Sequence, residues 1–456
     1  MNKADNWRTG FKPVRRLSLL AGAVAAFAAA PVFYPAAQAA VVEAASGQSV
    51  EHFYEARGGR LLWFGNGEPN AAASELLSLL ETASADSLEP DRYNPESLAR
   101  LVERASAGDE RARRKADLLL SRALVAYAQD LRKLPGAGPE PDMVFVDPRL
   151  RPGQSSPRRL LEMAADSPSL EEFIARMGWM NPTYAPLRRA LAEGRFESRE
   201  QGDLLRINME RARLLPADIP RYVIVNAAAQ QLDMYEGGEI TDSMRVVVGK
   251  EKDKDRTPML ASFLSSASLN PYWNVPPDLA AERIAPNVLR DGLSYLERQG
   301  YQILSDWSED ATILDPASID WQAVADGIAE IRVRQLPGPA NALGKVKFTF
   351  ANPFGVYLHD TPDKQLLTEE TRLFSGGCIR LEDAARFGEW LYGRNLEAPS
   401  SDPDIEVELD RPVPVFVTYL TAVSDGSSIT YLDDAYGWDA ERLAQMESAG
   451  ARTAIR

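Results

Sequence analysis

The chain has 456 residues, room for about three structural units of ordinary size, and its 45% apolar and 26% charged composition sets aside disordered, collagenous and polytopic membrane classes. Acidic residues outnumber basic ones 66 to 51, and the net charge of −15 disfavours nucleic acid and anionic lipid surfaces as partners. One cysteine, Cys378, and two histidines, His52 and His359, leave very few nucleophiles, bases and metal ligands to choose from.

In chain order, Arg8, Lys12, Arg15 and Arg16 precede an apolar run over 17–30 and a small-residue stretch ending Ala37-Gln38-Ala39. This is the layout of a secretory signal peptide over residues 1–39. The 14-residue run before Pro31 falls short of the roughly twenty that span a bilayer, so cleavage is expected rather than anchoring, and no stable membrane span after it. The pair Arg15-Arg16 leaves a twin-arginine export route open beside the general one. Cleavage leaves 46 basic against 65 acidic residues, a net charge of −19, and the expected compartment is the periplasm.

Residues 46–216 are mostly helical in pattern. Ala116, Leu120, Ala123, Leu124, Tyr127 and Leu131 recur at helical spacing on one face, and Pro135-Gly136-Ala137-Gly138-Pro139 ends that helix. No chemistry is visible there, and residues 40–217 are read as a helical scaffold domain. At Arg221 the texture changes to short β-branched runs, Tyr222-Val223-Ile224-Val225 and Met244-Arg245-Val246-Val247-Val248, separated by a Gly237-Gly238 turn. Further strand-like runs lie at 345–351, 355–358 and 413–422. Between 276 and 331 the strand pattern lapses, and 279–300 looks helical. The expected architecture is α+β: an N-terminal helical scaffold, then a mostly β domain over 218–441 with a helical lid insertion at about 278–330, then a tail over 442–456.

The chemistry gathers around the single cysteine. A lone cysteine in an exported chain is either an inert buried hydrophobe or a residue kept for reactivity. Gly376 and Gly377 precede Cys378, so backbone N–H groups can crowd toward the sulfur and toward an oxyanion formed beside it. Arg380, two residues on, suits a substrate carboxylate. Val356-Tyr357-Leu358-His359-Asp360 resembles a strand end, and His359, 19 positions before Cys378, is the candidate base. Arg332 and Arg334 could add to a local positive field with Arg380, although a solvated strand face is the favoured account for both. His359, Asp360 and Cys378 form no recognised metal-ligand spacing, so neither metal nor cofactor is expected.

These residues resemble the L,D-transpeptidase family with the YkuD-type catalytic domain, whose pattern is a histidine, a spacer, then Ser/Thr-His-Gly-Cys and an Arg or Asn. Here 15 residues separate His359 from Ser375-Gly376-Gly377-Cys378-Ile379-Arg380. Asn270-Pro271-Tyr272-Trp273-Asn274-Val275-Pro276-Pro277, Pro337-Gly338-Pro339-Ala340-Asn341-Ala342-Leu343-Gly344 and Tyr357-Leu358-His359-Asp360-Thr361-Pro362 are similar to the scaffold-bearing YcbB-like branch, as are His52-Phe53-Tyr54 and Leu61-Leu62-Trp63. Two features depart from the pattern. Gly376 stands where the general motif has histidine, and the stretch 184–203 is too short for that branch's peptidoglycan-binding module.

The resemblance implies acyl transfer on peptidoglycan stem peptides, donor and acceptor. His359 would help Cys378 attack the carbonyl between diaminopimelate and D-alanine, N–H groups around Gly376 and Gly377 would hold the oxyanion, and Arg380, Tyr357, Trp273, Ser375 and Asn341 would contact substrate. The orienting partner of His359 is expected to be a backbone carbonyl near Asp360. The resemblance further implies carbapenem acylation of Cys378. Two readings stay beside cross-linking: water as acceptor, giving an L,D-carboxypeptidase or cross-link hydrolase, and a noncatalytic wall-binding scaffold protein. Fast thiol labelling near neutral pH is the expected sign of a catalytic Cys378.

Overall fold

Polar caps set where the N-terminal helices begin. Asn70 accepts from Ala73 N at the start of Ala71–Glu81, Asp109 accepts from Arg111 N and Ala112 N at the start of Glu110–Leu131, and Ser156, Ser169 and Ser198 cap three more in the same way. The computed structural model describes residues 49–133, 143–153, 155–308 and 310–454; the export segment over 1–39 and the helix stop at 135–139 lie outside the described residues. The expected apolar stripe of Glu110–Leu131 is buried throughout, packed with Trp63, Leu76, Leu80 and Leu187 in one contiguous core. At its centre the Asp86 carboxylate accepts from Tyr127 (2.6 Å), Tyr184 (2.8 Å) and Arg188 (3.1 Å).

From Arg221 the β-branched runs form strands Arg221–Asn226, Gln231–Glu236 and Glu239–Gly249, a meander of antiparallel pairs. Leu260–Leu269 and Ile405–Thr418 extend it, and Val346–Phe350, Leu358–His359 and Ile379–Leu381 complete it. Val346–Phe350 pairs with both Leu358–His359 and Leu260–Leu269, so the sheet returns on itself. Closure leaves few free edges and encloses a second core around Val223, Leu260, Phe348, Ile379 and Phe416.

The chain between Leu260–Leu269 and Val346–Phe350 forms a further unit with its own sheet. Arg332–Gln335 lies between Trp273–Val275 and Tyr301–Leu304, over a separate core of Val275, Ile284, Val288, Ile303, Trp321 and Val333. The strand pattern therefore does not lapse across this stretch as the sequence suggested. Nor is 279–300 one helix. It divides into Pro277–Leu279, a π-helical turn Ala280–Ile284, Ala285–Asp291 and Ser294–Gln299. Pro286 has no N–H for the preceding turn, and Gly292 stops the next segment at φ 77°.

Several contacts tie the helical and β regions together. Val144–Phe145, from the helical half, pairs in parallel with Leu260 and Ala261. Ala422, in the hairpin Ala422–Ser424/Ile429–Tyr431, packs into the helical core. The buried pair Arg211–Asp439 (2.5 Å) adds a further contact. Helix Trp438–Ala454 runs through the expected domain end at 441, because Asp434 caps its first turn at Asp439 N (2.9 Å) and Ala440 N (3.0 Å) and nothing breaks it afterwards. Among the described residues no helix is long and apolar enough to cross a membrane.

Candidate functional site

Strand register builds the site. Leu358–His359 pairs in parallel with Ile379–Leu381, with Leu358 opposite Ile379 and His359 opposite Arg380, and Ile379 N donates to Tyr357 O at 3.0 Å. Alternation then sorts the side chains. Leu358, Ile379 and Leu381 point into the enclosed core. Tyr357, His359, Cys378 and Arg380 line one cavity of about 570 Å³. Its opposite wall comes from the inserted unit, including Trp273, Leu279, Arg283 and Tyr301.

His359 is 3% exposed, and its Nδ1 lies 2.5 Å from the Asp360 carbonyl oxygen. A carbonyl only accepts, so Nδ1 carries the proton and Nε2 keeps its lone pair. The Asp360 carboxylate is occupied elsewhere, by Lys345 N (2.9 Å) and Lys364 Nζ (2.8 Å). The orienting group is thus the backbone carbonyl. Gly344 permits this arrangement: it sits at φ 61°, and a Cβ there would lie 2.3 Å from Asp360 Oδ2. Burial first, and the Arg380 charge second, lower the His359 pKa to about 3. The ring is a neutral base.

Cys378 is partly buried, with Sγ 3.8 Å from Gly355 O. Burial pushes its thiol pKa up, against the lowering influence of the Tyr357 N–H and hydroxyl and of Arg380. Burial thus favours the neutral form of both groups, the thiol and the imidazole.

The turn before Cys378 is pinned from several sides. Gly377, at φ 110°, donates its N–H to Ser375 Oγ (3.1 Å) and accepts from Thr257 Oγ1 (2.9 Å), which itself accepts from Gly249 N (2.9 Å). The Gly377 amide is thus engaged, which differs from the expectation that it faces an oxyanion. Among the described residues, the Gly376 and Cys378 amides make no backbone hydrogen bond. Ser375 is 2% exposed and acts on the turn.

Tyr357 lines the cavity beside Cys378. Its hydroxyl interacts with Cys378 and with Trp273 of the inserted unit, its ring centroid is 5.6 Å from that of His359, and burial holds its pKa well above the usual phenol value. Arg380 Nη1 lies 3.4 Å from Asp363 Oδ2. Asn341 does not reach the wall. It is 1% exposed, and its amide donates to Pro271 O (2.9 Å) and Leu336 O (3.0 Å) while accepting from Leu343 N (2.8 Å). Its place is to hold the Pro337–Gly344 loop. Arg334 stacks on Tyr272 at 4.3 Å and Arg332 pairs with Glu330, whereas the cations on the inserted wall are Arg283 and Arg290. Sequence reasoning missed both, since nothing local marks which helix face meets the cavity. Among the described residues no cluster of three or more His, Cys, Asp or Glu side chains could hold a metal ion.

Two family models match the chain. Residues 48–191 match a Scaffold domain, and residues 220–417 match the YkuD L,D-transpeptidase catalytic domain. A Haemophilus influenzae protein described as "Putative L,D-transpeptidase" is 31% identical over 285 residues, covering 60% of this chain and 56% of its own. The chain thus spans little more than half the length of that curated relative. Among solved structures, an L,D-transpeptidase from Mycobacterium smegmatis is 14% identical, covers 43% of this chain and 58% of its own, and gives a TM-score of 0.22. The structure of LdtMt1 in complex with imipenem is 13% identical over the same shares, with a TM-score of 0.20.

A helical domain joined to a closed β domain with a cysteine and a histidine in one cavity defines the class. Within it, residues 220–417 carry the YkuD L,D-transpeptidase catalytic domain and residues 48–191 a Scaffold domain before it.

Proposed function

We propose that the protein is a periplasmic L,D-transpeptidase that joins diaminopimelate residues of peptidoglycan through a Cys378 thioester, releasing D-alanine, and so acts in wall synthesis and cell shape. The observation that carries this reading is the pairing of adjacent strands that lines one cavity with Cys378 and a His359 whose Nε2 is unprotonated. As Sγ attacks the diaminopimelate carbonyl, His359 Nε2 takes the thiol proton, and the oxyanion falls to the Gly376 and Cys378 amides. Collapse breaks the peptide bond, His359 returns the proton to the leaving D-alanine amine, and a thioester remains. The amine of a second stem then attacks the thioester, losing its proton to His359, and Sγ leaves as thiol.

Tyr357 and Trp273 support this scheme as cavity residues joining the two walls, and Arg380 as a binder of a donor carboxylate. The domain reading belongs to the same proposal: scaffold 40–217, catalytic domain 218–441 with the lid at about 278–330, and the C-terminal helix continuing past it. Purified tetrapeptide-stem muropeptides, incubated with the chain and with Cys378→Ala, provide the test by product mass. A cross-linked dimer lacking one D-alanine, absent with the variant, is expected. Tripeptide monomers alone would make water the acceptor, and no Cys378-dependent change would overturn acyl transfer.

A further inference from the structure

The inserted unit brings cations to the cavity in unequal company. Arg290 grips Asp291 through Nε (2.8 Å) and Nη2 (2.9 Å), while the cavity's Glu282 is held by Lys254 (2.6 Å), which belongs to neither the inserted unit nor the cavity lining. Arg380 has one long contact, 3.4 Å, to Asp363. Arg283 lines the same cavity, yet among the described residues it pairs with no carboxylate. Its position is set by the π-helical turn Ala280–Ile284, whose Ala280 and Ile284 are 1% exposed and fixed in the inserted unit's core. Such turns recur at functional sites.

We propose that Arg283 and Arg380 form a two-guanidinium subsite that binds a peptide carboxylate close to the scissile bond, with Arg283 as the residue by which the inserted unit selects its donor. This deepens the acyl-transfer reading and rests on it. Two guanidinium groups carried by separate, well-anchored elements face one cavity beside the nucleophile. Left alone they repel, and Arg283 is among the influences holding the Arg380 pKa down. The acidic groups nearby do not cancel them: Glu282 is held by Lys254, and Asp363 offers Arg380 one long contact. An arriving carboxylate relieves the repulsion and can accept from both planar donor forks. The donor presents two carboxylates near the reacting carbonyl, one on the diaminopimelate side chain and one on the terminal D-alanine, and both have the chemistry this subsite takes.

The test compares a tetrapeptide stem with two analogues, one amidated at the diaminopimelate carboxylate and one at the D-alanine carboxylate. The full-length chain, Arg283→Gln and Arg283→Lys are assayed for kcat/KM, with Arg298→Gln as the control, since Arg298 lies on helix Ser294–Gln299, donates to Ser294 Oγ (2.8 Å) and does not line the cavity. Equilibrium binding of the same peptides is measured on Cys378→Ala with and without Arg283→Gln. Amidation of the recognised carboxylate should weaken kcat/KM and binding roughly tenfold to a hundredfold, the range of a charge-assisted hydrogen bond. Arg283→Gln should remove most of that discrimination, Arg283→Lys restore part of it, and Arg298→Gln leave it unchanged. The peptide whose amidation matters identifies the carboxylate. Discrimination that survives Arg283→Gln, with turnover intact, overturns the subsite and leaves the acyl-transfer reading standing. Arg283-dependent discrimination in binding, without turnover of any peptide, upholds the subsite and sinks acyl transfer. No binding and no turnover overturn both.

Discussion

Asp86 in the helical core and His359 in the cavity are almost equally buried, at 1% and 3% exposure, but their surroundings differ in kind. Three donors converge on the Asp86 carboxylate, and Arg213 donates to its backbone carbonyl, so the group is fully matched. Among the described residues His359 has one hydrogen-bond partner, on Nδ1, and it lines a cavity together with Cys378, Arg283, Arg290 and Arg380. Burial with complete pairing makes a structural element. Burial with a deliberate vacancy makes a reactive one.

That contrast can be broken at either end. His359→Gln keeps a polar side chain but removes the base, and should lower kcat/KM by roughly a hundredfold to ten-thousandfold without changing the thermal midpoint greatly. A loss below tenfold would mean His359 is no base. Asp86→Ala should act in the opposite sense. Leaving Arg188 without its buried counter-charge costs about 3–5 kcal/mol of stability, read by denaturant titration, while the folded fraction keeps its kcat.

pH sharpens the comparison. The His359 pKa is depressed to about 3, so between roughly pH 6.5 and 3 the unfolded chain takes up a proton that the folded chain refuses. Stability supplied by this residue is therefore complete above pH 6.5 and is lost as pH falls, with a slope of at most about 1.4 kcal/mol per pH unit. His359→Gln should flatten that slope. For the same reason the acid limb of kcat/KM should lie well below pH 6; a limb at 6.5 would show that the base titrates as an exposed histidine. The smallest effect is expected at Lys254, whose partners Glu282 and Asp278 are half exposed like itself. Lys254→Met should leave the thermal midpoint unchanged, since exposed pairs contribute little.

Local patterns made much of this legible. The spacing of Ala116 through Leu131 defines a helix, and the alternation around Tyr357–His359 and Cys378–Arg380 already places these four side chains on one face of their strands. What brings the two strands together is a parallel pairing and a sheet closed by the contact of Val346–Phe350 with Leu260–Leu269, both long-range events that no local pattern encodes. Asn341 shows how a motif can mislead: its block matches a family pattern, yet its amide serves the loop that carries it. Pro286 and Gly292 were visible markers that 279–300 is not one helix. The direction of Arg283 was not, because it depends on the wider turn that precedes Pro286.

The proposed reaction runs through a thioester between Cys378 and the donor, formed as D-alanine leaves. Rapid quench of the chain with a tetrapeptide-stem donor, without acceptor, followed by intact mass and peptide mapping, tests it most directly. The expected result is an adduct on the Cys378 peptide equal to the donor acyl group without its terminal alanine, absent in Cys378→Ala and slower to form in His359→Gln. An adduct at another residue, or one that retains the alanine, would contradict it, as would product formation with no dependence on Cys378.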